Sequence, residues 1–181
     1  YASAQLASLS QSGLVGGLVG KSLALEITPV ITAIVVSARS GSAMAAELGS
    51  MKVTEQVDAL KTLATSPTQY LVAPRVLAMA LMMPIVAAFA NLAGLYGASL
   101  TASLSGISHA SFWNSFQNYT QPIDGIEGLL KTIPFGLHIE LLDCSQGLAT
   151  EGGAQGVGRS TTSAVVFACM AVYITDFFMS L

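Results

Sequence analysis

Charged residues are scarce in this sequence. Asp, Glu, Lys and Arg together make up 9% of its 181 residues, whereas soluble domains average about 25%. Lys and Arg number 7 against 10 Asp and Glu, which gives a formal net charge of −3. That balance lacks the basic field that attracts nucleic acid, and we find no nucleic-acid-binding motif. We therefore expect no nucleic-acid partner.

Cysteine is equally scarce. Cys144 and Cys169 are the only two, and they lie in apolar segments with no CxxC spacing. This arrangement disfavours both a disulfide framework and a zinc site. We expect two buried and unreactive thiols.

Long apolar runs dominate the sequence instead, which is 52% hydrophobic. A helix needs about 20 apolar residues to cross a bilayer. Four segments satisfy this requirement: residues 13–38, 76–102, 123–148 and 160–181. Most of them lack the polar face that a soluble helical bundle would show to water. The predicted fold class is an all-α integral membrane protein, with about four transmembrane helices in one domain over residues 1–181.

The basic residues predict the orientation. Four of the seven, Arg39, Lys52, Lys61 and Arg75, fall between the first two apolar segments, and Arg159 falls between the last two. Residues 1–12 and 103–122 contain no Lys or Arg. Positive residues favour the cytoplasmic side, so we expect both basic loops there. Residues 1–12 then start outside without a signal-peptide pattern, and we expect a further spanning helix before them in the native polypeptide.

Glycines crowd the start of the first apolar segment. The stretch GLVGGLVGKS ends like a phosphate-binding loop, but Val15 stands where that motif needs glycine. The pairs Gly13/Gly17 and Gly16/Gly20 instead have the GxxxG spacing that lets helices approach closely. We therefore predict helix packing here and no nucleotide site.

Charges inside apolar segments are costly and usually face protein or a water-filled cavity. Glu26 is the deepest acid of the first segment. In the third segment Asp124, Glu127, Lys131 and His138 fall on one helical stripe. The stripe fits either packing between helices or the polar wall of a substrate path.

A polar insert separates the first two apolar segments. Residues 51–65 show the periodicity of a short amphipathic helix outside the membrane, which ends before Ser66–Pro67. Its apolar face consists of Val53, Val57, Leu60 and Ala64, and the opposite side of Glu55, Asp58 and Lys61. The permease of an ATP-driven transporter uses a helix in this position to dock on its ATPase.

Three stretches resemble one family. The first stretch closely resembles the signature of the MlaE (YrbE) permeases of MCE-type lipid transporters. It runs from Gly41 to Arg75 and reads GSAMAAELGSMKVTEQVDALKTLATSPTQYLVAPR. Residues 152–166, GGAQGVGRSTTSAVV, are similar to the family's second cytoplasmic loop, and residues 111–118, SFWNSFQN, to its external interfacial segment. The resemblance covers essentially the whole chain, whereas the family has an additional N-terminal interfacial helix and spanning helix.

The resemblance implies a function and an assembly. The chain would be the permease subunit that couples ATP hydrolysis on a separate ATPase to phospholipid movement between membranes. Its partners would be a second copy of itself, a cytoplasmic ABC ATPase dimer and an MCE-domain ring, with a STAS-type accessory subunit as a further candidate. ATP and Mg would bind the ATPase, so this chain would need no cofactor and no catalytic residue. The bacterial inner membrane is the expected location, and the chloroplast inner envelope is the alternative.

The resemblance also assigns site residues. Contact with the ATPase is expected from Glu47, Met51, Val53, Glu55, Val57, Asp58 and Leu60. Lipid contact is expected from Leu23, Glu26 and Ile27. The family usually reads Arg-Glu-Leu-Gly-Pro where this chain reads LEITP, so Leu25 and Thr28 replace its Arg and Gly.

Two other functions fit the residues less well. One is a membrane scaffold whose cytoplasmic helix recruits a partner without transport. The other is a small intramembrane enzyme that uses His138, Glu140 and Asp143. Glu140 would lie nearly opposite His138 on a helix, which disfavours a shared catalytic site.

Overall fold

A computed structural model describes residues 14–181 of the chain. These residues form helices and turns without any strand, which confirms the predicted all-α class. The helical segments of this part of the chain are α1 (Val15–Val53), α2 (Gln56–Thr62), α3 (Thr68–Leu104), α4 (His109–Tyr119), α5 (Pro122–Leu148) and α6 (Gly153–Met179).

Three described helices, α1, α3 and α6, are long and apolar enough to cross a membrane. They correspond to the predicted spans 13–38, 76–102 and 160–181, although residue 13 itself lies outside the described residues. These helices confirm the predicted membrane-protein class. The predicted span 123–148 corresponds to α5, which has 27 residues but is not among the three. Charged side chains along α5 lower its hydropathy, and its crossing stays a prediction.

The boundaries around the polar insert differ from the predicted ones. α1 continues beyond residue 38 to Val53, because its extension is rich in Ala, Leu, Met and Glu, which favour helix. The predicted helix 51–65 is reduced to Gln56–Thr62. Glu55 and Ala64, on either side, have positive φ values of 60° and 56°, a left-handed conformation that interrupts a helix.

Two stretches of α1 are wound as π-helix, Leu23–Ile27 and Ser37–Gly41. Short π turns inside α-helices occur frequently at functional sites. The first of them contains all three residues predicted to contact lipid.

The chain divides into two compact units. The first comprises residues up to Pro29 together with Ile85–Leu130, and the second comprises Val30–Pro84 together with Lys131–Leu181. In the first unit the core forms around Val15, Ala102, Ile107 and Phe112. In the second unit one cluster surrounds the fully buried Phe135 and Ile139, and another contains Leu48, Val57, Leu71, Val72 and Cys144.

The glycines of α1 pack against α4 within the first unit. A side chain at Gly16 would collide with the Phe112 carbonyl, and one at Gly17 would collide with Tyr119. The Gly17 amide also donates a 3.0 Å hydrogen bond to Ser115 Oγ. The close approach predicted from the GxxxG spacing is confirmed, although Gly13 lies outside the described residues.

Candidate functional site

An apolar cavity in the first unit contains two of the three predicted lipid contacts. It has a volume of about 340 Å³. Its lining comes from α1 and α3: Leu18, Val19, Ser22, Leu23, Ile27, Gly94 and Ala98. A Cβ at Gly94 would lie 3.6 Å from Leu23 Cδ2, which is ordinary van der Waals contact. Such a cavity suits a hydrocarbon chain, since its walls offer mainly aliphatic groups.

Glu26, the third predicted lipid contact, lies in the same π turn as Leu23 and Ile27. It is half-buried and does not line this cavity. The structure therefore brings Leu23 and Ile27 together in one wall and leaves Glu26 beside it.

A second cavity in the first unit is lined by residues of α1, α3, α4 and α5 and of the link between the last two. Its volume is about 390 Å³. The lining consists of Ala24, Asn91, Leu95, Phe116, Gln117, Thr120, Gln121, Pro122 and Gly125. Reasoning from the sequence missed this site, because its residues come from four separate segments of the chain. The polar stretch Gln117 to Gln121 was the available signal.

The start of α5 is fixed by a buried acid. Asp124 Oδ2 accepts a 2.9 Å hydrogen bond from the Gln121 amide, which satisfies a free N–H at the helix N-terminus. Asp124 Oδ1 also lies 3.5 Å from Lys21 Nζ. This member of the charged stripe therefore has a structural role within its own unit.

Two other stripe residues pair within the second unit. Lys131 Nζ donates a 2.8 Å hydrogen bond to Ser180 Oγ and lies 3.6 Å from Asp176 Oδ1. His138 Nδ1 lies 3.1 Å from Thr175 Oγ1. Of the two interpretations of the stripe, these contacts between α5 and α6 favour packing.

The predicted ATPase-contact ridge does not form a single exposed face. Val57 is only 3% exposed and packs into its own chain with Leu48, Leu71 and Val72. Leu60 and Met51 are half-buried against the same cluster, whereas Val53 is 37% exposed. The periodicity marked the face that attaches α2 to its own unit, because burial on the same chain and burial on a partner give the same pattern.

The exposed side of α2 carries an ion-pair cluster. Asp58 lies 2.7 Å from Lys61 Nζ and 3.1 Å from Lys52 Nζ. The hydrogen bonds from Lys61 and then Lys52 hold the pKa of Asp58 below its ordinary value of 3.8. The two lysines therefore favour the ionised form of Asp58, and the Lys52 contact links α2 to the end of α1.

Glu47, another predicted ATPase contact, is engaged within the chain. Arg75 Nη2 forms a 2.9 Å ion pair with Glu47 Oε1, and the Arg75 side chain is only 18% exposed. Glu47 itself is 60% exposed. The carboxylate therefore faces solvent while it holds the start of α3 against α1.

Two acids of α5 are fully buried in the second unit. Glu140 and Asp143 are each 0% exposed. Cys144 Sγ donates a 3.3 Å hydrogen bond to Glu140 Oε1, while Glu140 Oε2 and both Asp143 oxygens have no hydrogen-bond partner among the described residues. His138 is exposed, so the three residues of the intramembrane-enzyme interpretation do not converge. Residues 14–181 also contain no group of three or more His, Cys, Asp and Glu that could hold a metal ion.

Comparison with known proteins places the sequence of this chain in a family. The profile described as Permease MlaE matches residues 1–181. The chain belongs to the MlaE permease family.

Relatives in this family come from bacteria and from a plastid. The chain is 48% identical over 167 residues to "Probable ABC transporter permease protein slr1045" of Synechocystis, covering 92% of the chain and 64% of that protein. It is 41% identical to "Protein TRIGALACTOSYLDIACYLGLYCEROL 1, chloroplastic" of Arabidopsis thaliana, covering 92% and 48%. A Rickettsia prowazekii "Probable ABC transporter permease protein" is 42% identical, covering 88% and 62%. The chain thus spans about half to two thirds of the length of these relatives.

The family description names a permease, and the printed name of the Synechocystis relative is that of a probable ABC transporter permease. The stretch that resembles the family signature, Gly41 to Arg75, forms one continuous part of the structure. It contains the end of α1, all of α2 and the start of α3. One buried cluster and one ion pair hold these pieces together.

Proposed function

We propose that this chain is the membrane-spanning subunit of an ATP-driven lipid transporter. The observation that carries the proposal is the aliphatic cavity at Leu23 and Ile27, on a π turn of a helix apolar enough to span a membrane. A buried hydrocarbon chain gains about 0.8 kcal/mol per CH₂ removed from water. The cavity offers such burial without any charged group in its lining.

Lipid as the substrate class has a second support. The Arabidopsis relative bears the name of a galactolipid. In this chain Leu25 and Thr28 replace the Arg and Gly of the usual family sequence. We assign Leu23 and Ile27 to the acyl chain because both line the aliphatic cavity. We assign Glu26 to the boundary of the lipid site because it lies in the same π turn but does not line the cavity.

The proposed assembly follows the family. Two copies of this chain pair in the membrane, an ABC ATPase dimer binds them on the cytoplasmic side, and an MCE-domain ring lies on the other side. A STAS-type accessory subunit is a further candidate. ATP and Mg bind the ATPase, because this chain supplies no phosphate-binding motif. We place the complex in a bacterial inner membrane, with the chloroplast inner envelope as the alternative.

The proposed ATPase contact uses the exposed part of the α1–α2 segment. Because Val57 is buried within its own unit, the ATPase contact is made by exposed side chains in and around α2. Leu63 is 74% exposed, and Glu55 lies at the tip of the turn in a left-handed conformation. An ATPase groove that covers Leu63 would remove an exposed aliphatic side chain from water. Movement of the ATPase would then act on the end of α1, the helix that carries the lipid-site π turn.

Reconstitution tests this function. The purified complex in vesicles should move fluorescent phospholipid between membranes only with ATP. Leu23→Trp should fill the cavity and lower lipid transfer by at least about 10-fold, while ATPase binding persists. Leu81→Trp is the matched control, because Leu81 is 71% exposed on α3. Recruitment of the ATPase without ATP-dependent lipid transfer would instead identify a membrane scaffold.

A further inference from the structure

Asp143 differs from the other aspartates of the sequence in its surroundings. Three aspartates form ion pairs with lysine in the structure: Asp58 with Lys61, Asp124 with Lys21, and Asp176 with Lys131. Asp143 has no hydrogen-bond partner at either carboxyl oxygen among residues 14–181, and no cation there forms an ion pair with it. The Asp143 carboxyl thus lacks the counter-charge that the other three possess.

The Asp143 carboxyl is enclosed between α5 and α1. The residue is 0% exposed, and a Cβ at Gly41 would collide with Asp143 Oδ2. Gly41 is the last residue of the second π turn of α1, Ser37–Gly41. Ser37, which begins this turn, is also 0% exposed, and its Oγ has no hydrogen-bond partner in the described part of the chain. The carboxyl therefore packs directly against the backbone of a π turn.

Glu140, one turn earlier on α5, is equally buried but has the partners that Asp143 lacks. Cys144 Sγ donates a 3.3 Å hydrogen bond to Glu140 Oε1, and the positive charge of Arg75 acts on Glu140. Arg75 uses Nη2 for its ion pair with Glu47, while its buried Nη1 has no hydrogen-bond partner within residues 14–181. The charge of Arg75 is thus shared between Glu47 and Glu140.

Few charged or titratable groups act on Asp143. Within residues 14–181 they are Glu140 and Cys144, both on α5. Arg75 of α3 acts on Glu140 and Cys144 but not on Asp143. The described parts of α1 and α6 contribute no such group to Asp143. The only charge that Asp143 meets is therefore the carboxylate of Glu140.

This environment suits a neutral carboxylic acid. A buried carboxylate with neither a cation nor a hydrogen-bond donor is strongly destabilising, and a neighbouring carboxylate adds like-charge repulsion. A metal ion is a poor remedy, since residues 14–181 contain no group of three or more His, Cys, Asp and Glu that could hold one. A proton needs no additional space, and the resulting O–H removes the charge.

We propose that Asp143 is a proton-binding site, in which a neutral carboxylic acid packs against Gly41 while Glu140 stays ionised beside Arg75. The ligand is a proton, and the site is independent of the proposed lipid transport. Loss of the proton would place a second negative charge between α1 and α5. The contact at Gly41, where the family signature begins, would then weaken.

Proton counting gives the direction of the pH effect. An aspartate in the unfolded chain ionises at about pH 4. Above that pH the folded protein with a neutral Asp143 holds one proton more than the unfolded protein. Stability should therefore fall as the pH rises, until Asp143 ionises in the folded state as well.

Infrared spectroscopy tests the site directly, because a protonated carboxyl absorbs separately from a carboxylate. The full-length protein is prepared in nanodiscs with isotopically labelled aspartate carboxyls and measured at about pH 5.5, where exposed aspartates are ionised. We expect a labelled carboxylic-acid band that disappears as the pH rises. The band should be absent from Asp143→Asn and from Asp143→Glu, which keeps a carboxyl without the label. Asp58→Asn is the matched control, because Asp58 is paired with lysines, and it should retain the band.

Thermal unfolding provides the second measurement. Between about pH 5 and about pH 8, the Tm of the wild-type protein should fall by at least about 4 °C more than that of Asp143→Asn. Asp58→Asn should follow the wild type, since Asp58 is already ionised across this range.

The outcomes decide the proposal. Absence of a labelled acid band from the wild type at about pH 5.5 would overturn it, whether or not the variants fold. A band that survives in Asp143→Asn or Asp143→Glu would also overturn it, because the proton would then reside on another aspartate. Equal pH dependence of Tm in the wild type and Asp143→Asn would do the same.

Discussion

Arg75 and Glu47 form an ion pair of 2.9 Å that ties the start of α3 to the last third of α1. The two residues lie near opposite ends of the Gly41–Arg75 stretch that resembles the family signature. The turn between α1 and α2, α2 itself and the link to α3 lie in the chain between them. The signature thus encodes a structural loop that is closed by an ion pair between the two helices flanking α2.

Removal of this pair should loosen the loop. We expect Arg75→Ala to destabilise the protein more than Glu47→Ala, because the arginine side chain is largely buried and the glutamate largely exposed. The coupling energy in a double-mutant cycle should be about 0.5–1 kcal/mol, since one partner is solvent-screened. Thermal unfolding in detergent, followed by fluorescence-detected gel filtration, measures all four proteins. Strict additivity of the two single substitutions would show that the pair contributes nothing.

Gly16 should tolerate no larger residue. A Cβ there meets the Phe112 carbonyl of α4, and backbone cannot move as a flexible side chain can. Gly16→Ala should therefore cost about 1–3 kcal/mol by overpacking. Gly97→Ala is the matched control, because a Cβ at Gly97 has nothing within 4 Å and alanine favours helix. Equal unfolding temperatures for the two variants would contradict the observed α1–α4 packing.

Val57 and Leu63 should separate folding from partner binding. Val57→Asp places a charge in a buried cluster and should unfold the α2 region, with a cost of several kcal/mol. Leu63→Asp changes a side chain that is 74% exposed and should leave stability within about 0.5 kcal/mol. If the ATPase covers this surface, Leu63→Asp should still abolish co-purification of the ATPase. A stable Leu63→Asp variant with full ATPase binding and coupling would place the docking surface elsewhere.

Asp58 should show a lowered pKa that depends on its lysines. The folded pKa lies below the ordinary 3.8, so the ionised form stabilises the folded state above that pH. This contribution is lost as pH falls through the folded pKa. Titration of the Asp58 carboxyl carbon by NMR measures the value directly. Lys61→Ala should raise the pKa more than Lys52→Ala, because the Lys61 bond is shorter, and an unchanged pKa in both variants would contradict the bridge.

The orientation predicted from the basic residues is open to a labelling test. In a background without Cys144 and Cys169, a single cysteine at Asn114 on α4 should react with an impermeant thiol reagent from outside intact cells. A cysteine at Ser66 should react only after the membrane is opened. Both positions are exposed in the structure, so burial does not protect either one. The reverse pattern would invert the assigned topology.

Some features followed from local sequence because their physical causes are local. A run of about 20 apolar residues can satisfy its backbone only as a helix in lipid, so three spans were predictable from composition. The GxxxG spacing places glycines on one face of a helix, and that face does pack closely.

Other features depended on contacts between distant segments. The apolar face of α2 was predictable, but its partner was not, because periodicity reports burial without identifying the covering surface. The structure assigns that surface to the chain itself. The observed helix boundaries also differ from the predicted ones, because Glu55 adopts a left-handed conformation that its residue type does not require.

The sequence by itself thus determined an all-α membrane protein with the family signature, because hydropathy and motif spacing are properties of neighbouring residues. Only the tertiary structure decided that Val57 is core, that Glu47 is bound to Arg75, and that Asn91 and Gln117 line one cavity. These facts join residues that are 9 to 28 positions apart or belong to separate helices. Their side chains meet through the packing of the folded chain, and no local pattern specifies which distant side chain fills a given space.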